Sequence, residues 1–179
     1  ERNRQFAGES QEGEKSTNPY TYGDIEFKDK ERQRFVVFAL SVKNYAYPKV
    51  RIDPAKIVLR ASNGREYWSL SEQQIDTYFR IYAVGYAGNV YIQYKNRLDL
   101  VKRTLFRNED IFSGQEAEGF VVFPVLHHDV RQIQAMIEDA ILRFDYRNEP
   151  VETLDIGYDF EREVGRRFRN GTVELSAQQ

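Results

Sequence analysis

From Tyr20 onward the chain is written in short runs that alternate in polarity, and only one stretch breaks that period. That single change of period limits the fold more than any other feature. In "RFVVFALSVKN", Val36, Phe38, Leu40 and Val42 share one face of a strand, and Phe35, Val37, Ala39 and Ser41 share the other. Successive side chains of a strand point to opposite faces. One face here is wholly apolar and the other nearly so, which predicts a central strand covered on both sides. Asn44 closes the run, and Pro48 bars the helical conformation at Tyr47.

The next runs follow the same grammar. Asp53-Pro54 predicts a turn, and Ile57 and Leu59 alternate with Lys56, Val58 and Arg60. Asn63-Gly64 predicts a hairpin with a type I′ turn, which needs positive φ at both central residues. Tyr67, Trp68 and Leu70 would return along the partner strand. Further on, Ser113-Gly114 marks a turn, and Phe120 and Val122 oppose Val121 and Phe123. Pro124 belongs at a strand end. A loop then leads to a strand around Ala140–Tyr146, a turn at Asn148–Pro150 and a strand around Val151–Phe160.

The period switches to that of a helix at "SEQQIDTYF". Ser71 followed by Gln74 is a capping-box pattern. Ile75, Tyr78, Phe79, Tyr82 and Tyr86 recur at helical spacing, as do Tyr91, Tyr94, Leu98, Val101 and Leu105. Gly85 and Gly88 interrupt the pattern, so two helices or one broken helix are expected across roughly 71–107. The resulting fold class is mainly β: an immunoglobulin-like antiparallel β-sandwich of about seven or eight strands with a helical insertion. "FVVF" occurs at Phe35–Phe38 and again at Phe120–Phe123, and reads as two core strands under one packing rule.

Residues 1–19 are polar and charged and read as a flexible arm, since they cannot bury enough apolar area to offset their ordering entropy. Residues 20–164 form the sandwich domain. Residues 165–179 read as a tail, in which Val173 and Leu175 suit a short edge strand. The 26 basic and 28 acidic residues nearly balance, which gives no electrostatic case for nucleic acid. There is no cysteine, which excludes disulfides, thiol catalysis and cysteine-ligated metal.

The runs "RFVVFALSVKN", "RIDPAKIVLRASNGREYWSL" and "FSGQEAEGFVVFPV" resemble the immunoglobulin-like domains of uncharacterised bacterial lipoproteins and secreted envelope proteins. The matching residues are Val42 to Asn44, Pro54, Ile57, Leu59, Gly64, Tyr67, Gly114, Gly119, Val121 and Phe123. The resemblance spans roughly 25–160 without the insertion. It implies a periplasmic address or an outer-membrane lipoprotein tethered through a lipidated residue ahead of Glu1. It carries no shared catalytic residues.

Candidate chemistry is sparse. The only histidines, His127 and His128, adjoin Asp129, but structural zinc takes four ligands, and no metal site is expected. Paired carboxylates do acid–base work only where burial drives their pKa values apart, and Glu138-Asp139 and Glu161/Glu163 sit in charged, solvated runs. Asn170-Gly171-Thr172 fits a glycosylation acceptor, and Arg166, Arg167 and Arg169 form a basic cluster. No catalytic residue and no small-molecule cofactor is expected.

The binding candidate is Tyr78, Tyr82, Tyr86, Tyr91 and Tyr94. Tyrosine offers a large contact area at low entropy cost and is enriched at interfaces, although it also docks helices onto sheets. The expected function is a non-enzymatic envelope protein that binds another envelope protein. The alternatives are a carbohydrate-binding module using exposed tyrosine and Trp68, and, more remotely, an enzyme. Replacing 75–105 by a short linker should then keep the β fold and abolish partner capture.

Overall fold

A computed structural model of the chain describes residues 19–22, 33–83, 89–162, 165–167 and 173–175. The polypeptide makes β1 (Thr21–Tyr22), β2 (Gln33–Arg34), β3 (Val36–Asn44), β4 (Lys49–Arg51), β5 (Ile57–Ala61) and β6 (Glu66–Trp68). Helices α1 (Glu72–Ala83) and α2 (Asn89–Thr104) follow. Then come β7 (Asp110–Phe112), β8 (Gln115–Phe123), β9 (Gln132–Phe144), β10 (Pro150–Glu161), β11 (Gly165–Arg167) and β12 (Val173–Leu175). The fold is mainly β, all named strand pairs are antiparallel, and the helical segment lies within the expected 71–107.

Three layers result. The first is a six-stranded sheet in the order β6-β5-β9-β4-β7, with β10 on the other edge of β9. The second is the β3–β8 ribbon, paired from Val36↔Phe123 to Asn44↔Gln115. The third is the α1–α2 pair. Between the first two layers, Ile57, Leu59, Val121, Phe123, Ile133 and Ile137 are buried, and Val36, Phe38, Leu40 and Val42 pack on them. Between ribbon and helices lie Tyr20, Phe35, Ile75, Phe79, Val101 and Val122, with Val37 and Phe120 against them. The two apolar faces of "RFVVFALSVKN" thus serve two separate cores. Fully burying side chains of this size contributes about 1.5–3 kcal/mol each.

Local chemistry sets the element ends. Ser71 and Gln74 form the capping box: the Gln74 carboxamide accepts from the Ser71 N–H at 2.8 Å, and Ser71 Oγ accepts from the Gln74 N–H at 3.3 Å. Asn44, buried at the end of β3, donates to the carbonyls of Tyr47 and Ile111, both at 2.9 Å, and accepts from the Tyr47 N–H. It closes the strand by supplying the backbone partners that the turn lacks. Val173–Leu175 does form a strand, paired with β11.

Two expectations need correction. The Asn63-Gly64 hairpin forms, but only Gly64 takes a positive φ, +82°. The Gly64 N–H reaches the Ala61 carbonyl, and the Ala61 N–H reaches the Arg65 carbonyl. This is the longer turn ending in a left-handed glycine, in which Asn63 keeps an ordinary φ and its side chain accepts from the Arg65 N–H. The strand expected around Ala140 instead starts at Gln132. Ile133 and Ile137 face the core, then Asp139 adopts φ 51° at an irregularity in the β9–β10 pairing, and Ala140 resumes the core face. That bulge breaks the period of two and hides the first half of the strand.

Asp110 of β7 faces Arg51 and Lys49 of β4, at 2.6 and 3.1 Å. Partial burial opposes its ionisation, but the hydrogen bonds and charges of Arg51 and Lys49 outweigh this and hold the carboxyl below its ordinary value. A depressed folded pKa contributes stability above the unfolded value, and that contribution is lost as pH falls through the folded one. Asp110→Asn is therefore expected to cost roughly 0.2–1 kcal/mol at neutral pH. The difference from the parent should vanish as urea midpoints are followed down into the acid limb.

Candidate functional site

The five tyrosines divide. Tyr78 stands edge-on to Phe35, with ring centroids 5.2 Å apart at 90°, and it lies half-buried against the second core. Tyr94 also packs there, and its hydroxyl hydrogen-bonds Asp76, which is paired with Arg80 at 3.0 Å. Burial and the Asp76 bond raise the Tyr94 pKa. Tyr91 is half-exposed, 5.8 Å from the Tyr94 ring, with the Lys95 ammonium 4.9 Å from its centroid. Tyr82 is a residue of α1, while Tyr86, Gly85 and Gly88 lie outside the described residues. Two of the rings, Tyr78 and Tyr94, therefore pack against the second core, and the exposed Tyr91 ring lies against Tyr94.

The remaining candidates resolve into surface chemistry. His127 Nδ1 meets Asp129 at 2.5 Å, and the bond from His127 holds the Asp129 carboxyl below its ordinary value. Among the described residues, no group of three metal-ligating side chains forms. Glu138 pairs with Arg60, and Asp139 pairs with Lys56 at 2.8 Å. Arg166 and Arg167 lie in β11, whereas residues 1–18, Glu163, Arg169 and 170–172 lie outside the described residues. Trp68 follows the core-facing Tyr67, so it projects from the outer side of the six-stranded sheet, whereas Tyr91 sits on the helical layer.

The feature that stands apart lies where the first two layers meet at their β3 and β10 edges. Phe38, Leu40, Val121, Ile137, Tyr158 and Phe160 are among the residues that line a cavity of about 350 Å³ there. Phe160 contacts Phe38 with ring centroids 5.0 Å apart, and Phe38 in turn meets Phe123 edge-on at 5.9 Å. A second cavity, of about 180 Å³, extends the same apolar seam past Val42, Leu142 and Ile156.

Strand pairing explains why the seam is accessible. The outer edge of β8 is met by other backbone: the Val122 carbonyl accepts from the Leu70 N–H at 2.7 Å, and the Phe120 carbonyl accepts from the Phe106 N–H at 2.9 Å. Among the described residues, β3 pairs only with β8, and β10 pairs only with β9. Both long unpaired edges border the seam. A strand edge with free N–H and C=O groups is a template for another strand, and proteins usually keep such edges short or covered. Here β10 runs for 12 residues, and Leu154, Tyr158 and Phe160 remain 49, 56 and 41% exposed.

The alternation that makes β10 a strand is legible in "PVETLDIGYDFE". That β10 has β9 as its one partner among the described residues is not, because it depends on where every other strand goes. No family model, curated protein or solved structure matches the chain.

Proposed function

We propose that this chain is a non-enzymatic protein-binding module, built on an immunoglobulin-like sandwich, whose contact surface is the seam between β3 and β10. The observation that carries the reading is the exposed Tyr158–Phe160 end of an apolar cavity flanked by two strand edges that are unpaired among the described residues. Such a site combines buried apolar area with backbone donors and acceptors, the two ingredients of recognition by strand addition. The resemblance to envelope lipoprotein domains supports a periplasmic or outer-membrane address, with another envelope protein as partner. The carbohydrate alternative has less support, because Trp68, the aromatic it names besides tyrosine, lies on the outer side of the six-stranded sheet, apart from Tyr91 on the helical layer and from the Tyr158 side of β10.

Panning a random heptapeptide library against the protein, with Phe160→Glu as counter-selection, tests the reading. Enriched peptides should bind the parent chain and lose about tenfold or more in affinity on the variant, with the variant's circular dichroism unchanged. Peptides that bind both chains equally, or no enrichment at all, would refute the seam as the contact surface.

A further inference from the structure

The geometry points to an extended basic segment, alternating Lys or Arg with apolar residues, as the occupant that pairs with the outer edge of β10. This inference rests on the seam being the contact surface and adds the chemistry of its partner.

Strand register fixes the two faces that an added strand would meet. Ile156, Tyr158 and Phe160 pair with Ile137, Ala135 and Ile133, so they share the core-facing side. Gly157 and Asp159 pair with Met136 and Gln134 and share the opposite side, and Gln134 Nε2 donates to Asp159 at 3.0 Å. A strand laid beside β10 at about 4.8 Å would alternate in step. Every second side chain would enter the apolar seam. The intervening ones would lie beside Asp155, Asp159 and Glu161.

Charge selects among occupants. β10 carries Glu152, Asp155, Asp159 and Glu161 and no lysine or arginine. Glu152 is paired with Arg143 at 3.1 Å, and Asp155 accepts the Asp139 N–H at 2.8 Å, so these carboxylates are held in place by the sheet. A second copy pairing through β10 would set acid against acid, which is unfavourable between neighbouring strands. Cations at alternate positions reverse the sign of that interaction. Residues 154–160 span roughly 20 Å at the usual rise of a strand, room for an added segment of about six or seven residues.

The test uses the full chain and three labelled seven-residue peptides. One alternates lysine with valine and leucine, one replaces its lysines by glutamate, and one keeps the first composition with its lysines in a block. Fluorescence anisotropy should show the alternating lysine peptide binding at least about tenfold tighter than either control. Hydrogen exchange should show new protection of β10 amides in the parent complex. Asp159→Lys combined with Glu161→Lys should turn the preference toward the glutamate peptide. Equal binding of the blocked or glutamate peptide, unchanged exchange in β10, no binding, or self-association of the chain through β10 would each overturn the inference. If library peptides of other pattern depend on Phe160, the seam remains the binding surface and only its partner chemistry is wrong. If no peptide depends on Phe160, both readings fall.

Discussion

Gly119→Ala is expected to destabilise the protein by about 4 kcal/mol or more, a large share of the roughly 5–15 kcal/mol that holds a domain together. A Cβ placed on Gly119 would stand 2.4 Å from Phe106 Cα and 2.5 Å from Phe106 N. Both are backbone atoms, so no side-chain rotation relieves the overlap. The Phe106 segment cannot retreat, because its N–H donates to the Phe120 carbonyl at 2.9 Å and its ring is buried in the first core. Urea titration followed by circular dichroism should show the loss, with the chain unfolded or much reduced in midpoint. Gly114→Ala is the control. Its Cβ would meet nothing within 4 Å, but Gly114 has φ +81°, so only the left-handed cost of about 1–2 kcal/mol applies. Equal losses at the two sites would refute the close approach at Gly119.

Removing 72–104 and bridging the gap with a short linker should have the second large effect. The layered packing turns around the expectation that the β framework survives such a deletion. Phe35 and Val122 are buried against Ile75, Phe79 and Val101, and Val37 and Phe120 pack beside them. Without the helices, one face of the β3–β8 ribbon would meet water, at about 1.5–3 kcal/mol for each large side chain uncovered. The expected product is insoluble, or it is soluble but binds a hydrophobic dye and lacks a cooperative thermal transition. A deleted chain that stays monomeric with the parent's midpoint would show that the helices only decorate the ribbon.

Much of this architecture is legible in the sequence, for reasons that residues make plain. The two apolar faces of Phe35–Val42 announce a strand between two cores. Ser71 and Gln74 announce where the helical period starts. Their signals are local, carried by side chains a few positions apart. Less legible is β9, where the Asp139 bulge shifts the phase halfway along. The hairpin at Gly64 is visible as a hairpin, but its turn type depends on whether Asn63 adopts positive φ or uses its carboxamide, and it does the latter. The tyrosines identify a helical pair without saying which rings face inward. The seam is the least legible feature of all, since an unpaired edge is defined by the routes of strands distant in sequence.

The order of strands also bears on how the chain reaches this state. Three units pair elements that lie close in sequence: the β5–β6 hairpin, the α1–α2 pair and the β9–β10 hairpin. The β3–β8 ribbon, by contrast, joins Val36 to Phe123 across most of the described chain. Loop-closure entropy delays such pairings, so the ribbon should form late, after the local units exist. Conservative truncations at Val36 and Val121 should then give φ-values near zero, with larger values at Ile133 and Ile137; the reverse pattern would reject that order. The layer shared by both cores would be the final piece to lock, so the helices and the large sheet would become one cooperative body only when β8 finds β3.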